Sequence, residues 1–98
     1  LTESFPYDYP DTQKTLSQFS QTLVKEGDTD GALQIAELNS RTNPHWQTFT
    51  ELANLQQQAG QKDAAAQHFQ KAISINPNRT QEEKQAYEAA QQALKILL

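Results

Sequence analysis

The chain has no cysteine and no methionine among its 98 residues, and only three glycines and four prolines. Without cysteine there is no disulfide framework and no thiolate chemistry. That absence suits the cytoplasm and an extracytoplasmic space equally, so the compartment stays open. No apolar run approaches the roughly 20 residues of a membrane span, and no signal peptide is present. Basic residues are few. Eight lysines and arginines against 12 acids leave a net charge of −4, which disfavours nucleic acid, whose partners carry a basic stripe. His45 and His68 are the only histidines, and neither has a ligand partner at helical spacing. There is no glycine-rich phosphate loop, nucleophile elbow or zinc spacing. The expectation is no catalytic residue, no cofactor and no metal, and so no enzyme. The first residue is Leu1 rather than methionine, and the expectation is a processed product or an excised domain.

What remains is a small glutamine-rich domain of low apolar content. A chain this short buries only about two thirds of its surface on folding. Its core must be thin and built mainly from alanine, leucine and phenylalanine.

Residues 51–77, ELANLQQQAGQKDAAAQHFQKAISINP, organise the rest. Phe49, Leu52 and Ala53 form one apolar ladder, and Ala65, Phe69, Ala72 and Ile73 form a second. Both have the spacing of a helix face. Gly60 lies between them and supplies the positive φ that ends a helix. Asn76-Pro77 closes the second helix, because proline cannot continue it. The same skeleton occurs 33 residues earlier, with Gly27, Ala32 and Pro44 in place of Gly60, Ala65 and Pro77. An ungapped internal repeat of this length points to a repeat architecture.

On these residues the chain resembles the tetratricopeptide repeat family. Counted from Trp46, the family's characteristic positions fall on Leu52, Ala53, Gly60, Ala65, Phe69, Ala72 and Pro77. Counted from Gln13, they fall on Phe19, Ser20, Gly27, Ala32, Ala36, Asn39 and Pro44. The family's aromatic near the end of the first helix is Leu23 in one copy and Gln56 in the other. Asn39 stands where the family has alanine, and the spacing is one residue shorter than usual. The implied fold class is all-α: antiparallel helix-hairpin repeats in a superhelix, with about five helices. The implied division is an extended lead-in or linker over 1–10, two repeats over about 13–45 and 46–79, and a capping helix over 80–98.

The expected helices follow. In the lead-in, two prolines and the alternating Phe5, Tyr7 and Tyr9 read as an extended segment; it either packs on the first helices or links to a preceding domain. The first helix spans about 12–26, capped by Asp11 or Thr12, with Leu16, Phe19, Leu23 and Val24 as its apolar face. The second starts near 28 or 29 and carries Ala32, Leu33, Ile35, Ala36 and Leu38. The third spans 44–59, with Asn43 as cap and Pro44 in the first position. The fourth spans 62–75. The fifth opens at a capping box, Thr80 with Glu83, and covers the apolar face that a last repeat leaves open. Its face comprises Ala86, Tyr87, Ala90, Ala93, Leu94 and Leu97. His45 reads as a solvated residue. Trp46 is either a staple on the preceding helix or an exposed interface anchor.

The resemblance implies that the first helix of each repeat lines a concave face. That face would show Lys14, Ser17, Gln21 and Lys25, then Gln47, Thr50, Asn54, Gln57 and Gln58. Amides offer both donor and acceptor to an extended peptide backbone. The bland alternative is a solvated glutamine-rich face. A subfamily that clamps C-terminal carboxylates of chaperones is rejected, since Thr50 stands where it needs lysine and only two repeats exist. Fold alone does not name a function. The first expectation is a non-catalytic module for protein–protein interaction or scaffolding. The alternative is an accessory domain at the C-terminus of a larger enzyme, such as a bacterial serine hydrolase or esterase of the α/β type, serving packing or dimerisation. A third is a homodimer through Tyr87, Leu94 and Leu97. The partner is therefore a protein or peptide, another domain of the same chain, or a second copy, with no nucleic acid and no membrane.

Overall fold

Both hairpins turn on the same backbone device. Gly27 and Gly60 take φ of 87° and 82°, the left-handed conformation that glycine reaches without steric penalty. In the first turn the Gly27 N–H donates to the Val24 carbonyl at 3.0 Å and the Asp28 N–H to the Leu23 carbonyl at 2.8 Å. In the second, Gly60 donates to Gln57 at 3.1 Å and Gln61 to Gln56 at 2.8 Å. This pair of bonds satisfies carbonyls that a helix end otherwise leaves bare.

The computed structural model describes residues 11–97. It has five helices: α1 Asp11–Lys25, α2 Thr29–Thr42, α3 Trp46–Gln58, α4 Lys62–Ile75 and α5 Gln81–Leu97. Each packs on its neighbour in sequence, and α1 also touches α3. The expected all-α, hairpin-by-hairpin architecture is observed. The expected lead-in over 1–10, with Phe5, Tyr7 and Tyr9, lies outside the described residues, as does Leu98.

The core falls into two clusters joined through α3. In one, Ala32, Leu33 and Ala36 of α2 meet Leu52 and Leu55 of α3, with Leu23 against them. In the other, Ala53, Ala65, Phe69 and Ala90 assemble from α3, α4 and α5, backed by Ile73, Ala93, Leu94 and Leu97. The fifth helix covers the second hairpin as expected. Its start is the expected box: Glu83 N–H donates to Thr80 Oγ1 at 3.1 Å, and Thr80 N–H donates to Glu83 Oε1 at 3.0 Å. Amide hydrogen bonds from Thr80 and Arg79 hold the Glu83 carboxyl below its ordinary value.

Several expectations are corrected. The third helix does not start at Pro44 under an Asn43 cap. Asn43 instead ends α2, its N–H donating to the Asn39 carbonyl at 2.7 Å, since a residue before proline is pushed out of the helical region. His45 is then the cap. It is extended, its Nδ1 accepts from the Gln47 N–H at 3.1 Å, and its N–H donates to Thr48 Oγ1 at 3.1 Å. It is half-buried rather than solvated. Trp46 is 7 % exposed, which removes the exposed-anchor reading. Leu94 and Leu97 are partly buried against the core of the same molecule, rather than standing on the open face expected of them; Ile96 is the large apolar residue of α5 left outside, at 78 % exposure. Val24, expected on the apolar face of the first helix, is exposed, and so is Leu38 of the second.

Phe19 is the most informative correction. It is 50 % exposed, whereas Leu52, 33 residues on, is 1 % exposed. Leu52 is covered by α2 of the preceding hairpin. No described element precedes α1 to cover Phe19 in the same way.

The polar departures from the family pattern are buried, and each finds a partner, as a buried polar group must. Asn39 donates to the Gln13 carbonyl of α1 at 3.1 Å and accepts from Asn43 Nδ2 at 2.8 Å. Ser20 donates to the Ala32 carbonyl at 3.1 Å. Gln56 Oε1 lies 2.8 Å from His68 Nδ1, and the His68 ring stacks on Phe49 with centroids 6.1 Å apart.

A contrast of two phenylalanines tests this packing. Phe69→Ala should cost about 3–5 kcal/mol, because the ring is buried against three helices. Phe19→Ala should stay within about 0.5 kcal/mol, as a substitution at an uncovered surface does. Chemical denaturation of the two variants beside the parent chain measures both. Equal losses would contradict the packing described here.

Candidate functional site

Stacking one hairpin on the other sets α1 and α3 side by side. Two hydrogen bonds cross between them, each joining residues 34 apart in sequence. Gln13 Nε2 donates to Gln47 Oε1 at 3.0 Å, and the Ser17 hydroxyl donates to Glu51 Oε2 at 2.8 Å. They line an open hollow of about 540 Å3. Lys14, Gln18 and Gln21 stand around it on α1. A smaller hollow of about 130 Å3 adjoins it, sharing Gln21 and Glu51 and reaching Asn54 and Leu55. The two hollows share this lining, and together they are the groove between α1 and α3.

Five residues expected on the concave face meet here: Lys14, Ser17, Gln21 and Gln47 in the larger hollow and Asn54 in the smaller. Four do not line either hollow: Lys25, Thr50, Gln57 and Gln58. Thr50 is the clearest departure. Its hydroxyl donates to the Trp46 carbonyl one turn back at 2.6 Å, a common use of threonine inside a helix. Lys25 and Gln58 are exposed at the far ends of their helices.

Glu51 is the residue that reading by repeat position overlooked. It is half-buried in the shared wall of both hollows. Burial pushes its carboxyl above the ordinary value, and the Ser17 hydrogen bond opposes that only in part. The available signal was its place in the helix. Glu51 lies one turn after Gln47 and three residues before Asn54, both already assigned to the face, and such neighbours share one side of a helix.

The tetratricopeptide repeat family model matches residues 46–79, that is, α3, α4 and the start of the link to α5. This segment is a tetratricopeptide repeat. Repeats of this family are protein–protein interaction modules, and the groove lies along the first helix of this one. No curated protein matches the chain. Among the described residues there is no cluster of histidine or carboxylate side chains fit to hold a metal, and no helix is long and apolar enough to cross a membrane.

The state of Glu51 gives a pH prediction. A carboxyl raised in the folded state favours folding when protonated, and that contribution is lost as pH rises through the folded value. Glu51→Gln removes the penalty of holding a desolvated charge at neutral pH and keeps an acceptor for Ser17. Its melting temperature should therefore exceed that of the parent at neutral pH, and the gap should close near pH 4, where the parent carboxyl is protonated. Thermal melts of both chains across this range decide it. A gap that widens on acidification would refute the assignment.

Proposed function

We propose that the chain is a non-catalytic binding module that holds an extended segment of a partner protein in the groove between α1 and α3. One observation carries this reading: an open hollow of about 540 Å3 whose walls are polar side chains of two different hairpins. Its amides are only partly used. The Gln47 carboxamide accepts from Gln13 but its own NH2 meets no acceptor among the described residues. Gln21 donates to Ser17 Oγ at a long 3.4 Å, and its side-chain carbonyl meets no donor among the described residues. Unused donors and acceptors lined along a groove suit a peptide backbone, which offers one of each per residue. The first hairpin fits a degenerate repeat, since its turn repeats the bonds of the second.

The exposed side of α1 favours a second reading. Phe19 occupies the position that Leu52 fills in the next hairpin, and Leu52 is covered by a helix of the preceding one. A neighbouring domain laid on Phe19 would complete the stack. This is the geometry that an accessory domain of a larger protein, an enzyme of the α/β hydrolase type included, would use.

The two readings separate by mutation. Gln21→Ala with Asn54→Ala should weaken a groove-bound partner severalfold and leave the melting temperature within a degree or so, since both side chains are exposed. Phe19→Ser should leave that binding unchanged and should release a domain held on the outer face of α1. Affinity measurements with the captured partner, beside melts of each variant, distinguish them. A double variant that binds as the parent does would remove the groove reading.

A further inference from the structure

The groove carries a carboxylate, Glu51, that no cation of the described residues pairs. Among the described residues, the Ser17 hydroxyl is the only hydrogen-bond or ion-pair partner of the Glu51 carboxylate. Ser17 reaches Oε2, and no donor of the described residues reaches Oε1. Lys14 stands in the same hollow, one turn before Ser17, yet forms no ion pair with Glu51. A half-buried carboxylate in this state has lost part of its water and gained only one neutral donor. Ionised carboxylates accept up to about four hydrogen bonds. A second acceptor stands beside it: the side-chain carbonyl of Gln21 has no donor among the described residues.

We propose that Glu51 is the specificity determinant of the groove and selects a partner segment that places a lysine or arginine side chain against it. This rests on the groove reading above. The cation restores the charge balance that burial removed, and its attraction is stronger in a partly desolvated hollow than on an open surface. Charge-assisted N–H···O bonds are roughly twice as strong as neutral ones. An arginine fork has donors enough to reach Oε1 and the Gln21 carbonyl together, while Ser17 keeps the carboxylate oriented from the other side. Acidic segments are disfavoured at the same point, because a second anion would face a carboxylate that no described cation pairs. The overall charge of −4 acts in the same direction by attracting basic segments over longer distances.

The test is a selection from a library of random nonapeptides, blocked at both ends, against the whole 98-residue chain. Backbone amide shifts of Ser17, Gln47 and Glu51 report whether an enriched peptide sits in the groove. The expected result is enrichment of lysine or arginine at one position. Replacing that residue by glutamine should weaken binding by about tenfold or more, the scale of one charged hydrogen bond. The Glu51→Gln chain, checked for its helical fold, should lose the preference while still binding through its amides. Ser17→Ala should reduce the preference without abolishing it. Groove-bound peptides that lack a basic residue, or that bind the Glu51→Gln chain with the same preference, overturn the inference and leave the groove reading standing. A library that yields no peptide shifting these amides removes the groove reading, and this inference with it.

Discussion

Three alanines with no exposed surface, Ala32, Ala53 and Ala65, hold this molecule together. Each sits at a helix contact where a larger side chain would force the backbones apart, and overpacking of that kind costs about 1–3 kcal/mol. Small residues let α2 reach α3 and let α3 reach α4. The large groups then fill what the close approach leaves: Leu52 and Leu55 on one side of α3, Phe69 on the other. The third helix is thus packed on both flanks. Its remaining side looks toward α1, and that is where the groove forms.

The architecture was readable from punctuation and period. Gly27 and Gly60 marked the turns, and the structure shows the same pair of backbone bonds at each. Apolar residues three and four apart marked the faces, and the Thr80–Glu83 pair marked the start of α5. Such signals are local, so a sequence carries them directly. The errors arose where a residue answers to something distant. Phe19 has the spacing of a core residue, yet burial depends on a neighbour, and none of the described elements covers it. His45 does not belong to the usual set of helix caps, and only the extended backbone after Pro44 turns its ring nitrogen toward the Gln47 amide.

The groove was legible in part, for a similar reason. Repeat position identified Lys14, Ser17, Gln21, Gln47 and Asn54, because a helix places every third or fourth residue on one side. It could not show that Thr50 spends its hydroxyl on the Trp46 carbonyl. Nor could it show that Ser17 and Glu51 meet across the two hairpins, a contact set by the crossing of α1 and α3. Gln56 makes the same point inside the core. A glutamine in an aromatic position looks like a defect until His68, 12 residues on, is seen to hold its carboxamide.

The joint between the hairpins is a knot rather than a hinge. Thr48 is buried, and its single hydroxyl oxygen lies within 3.1 Å of the Asn43 carbonyl, the His45 carbonyl and the His45 N–H. Asn39 ties the same joint to the first turn of α1 through the Gln13 carbonyl. Motion at this joint breaks bonds centred on two buried side chains, Thr48 and Asn39, where each is hard to replace. The two walls are therefore preorganised. A segment that enters loses its own freedom but does not have to order its receptor, and the part of the binding entropy that a flexible groove would forfeit is settled when the chain folds.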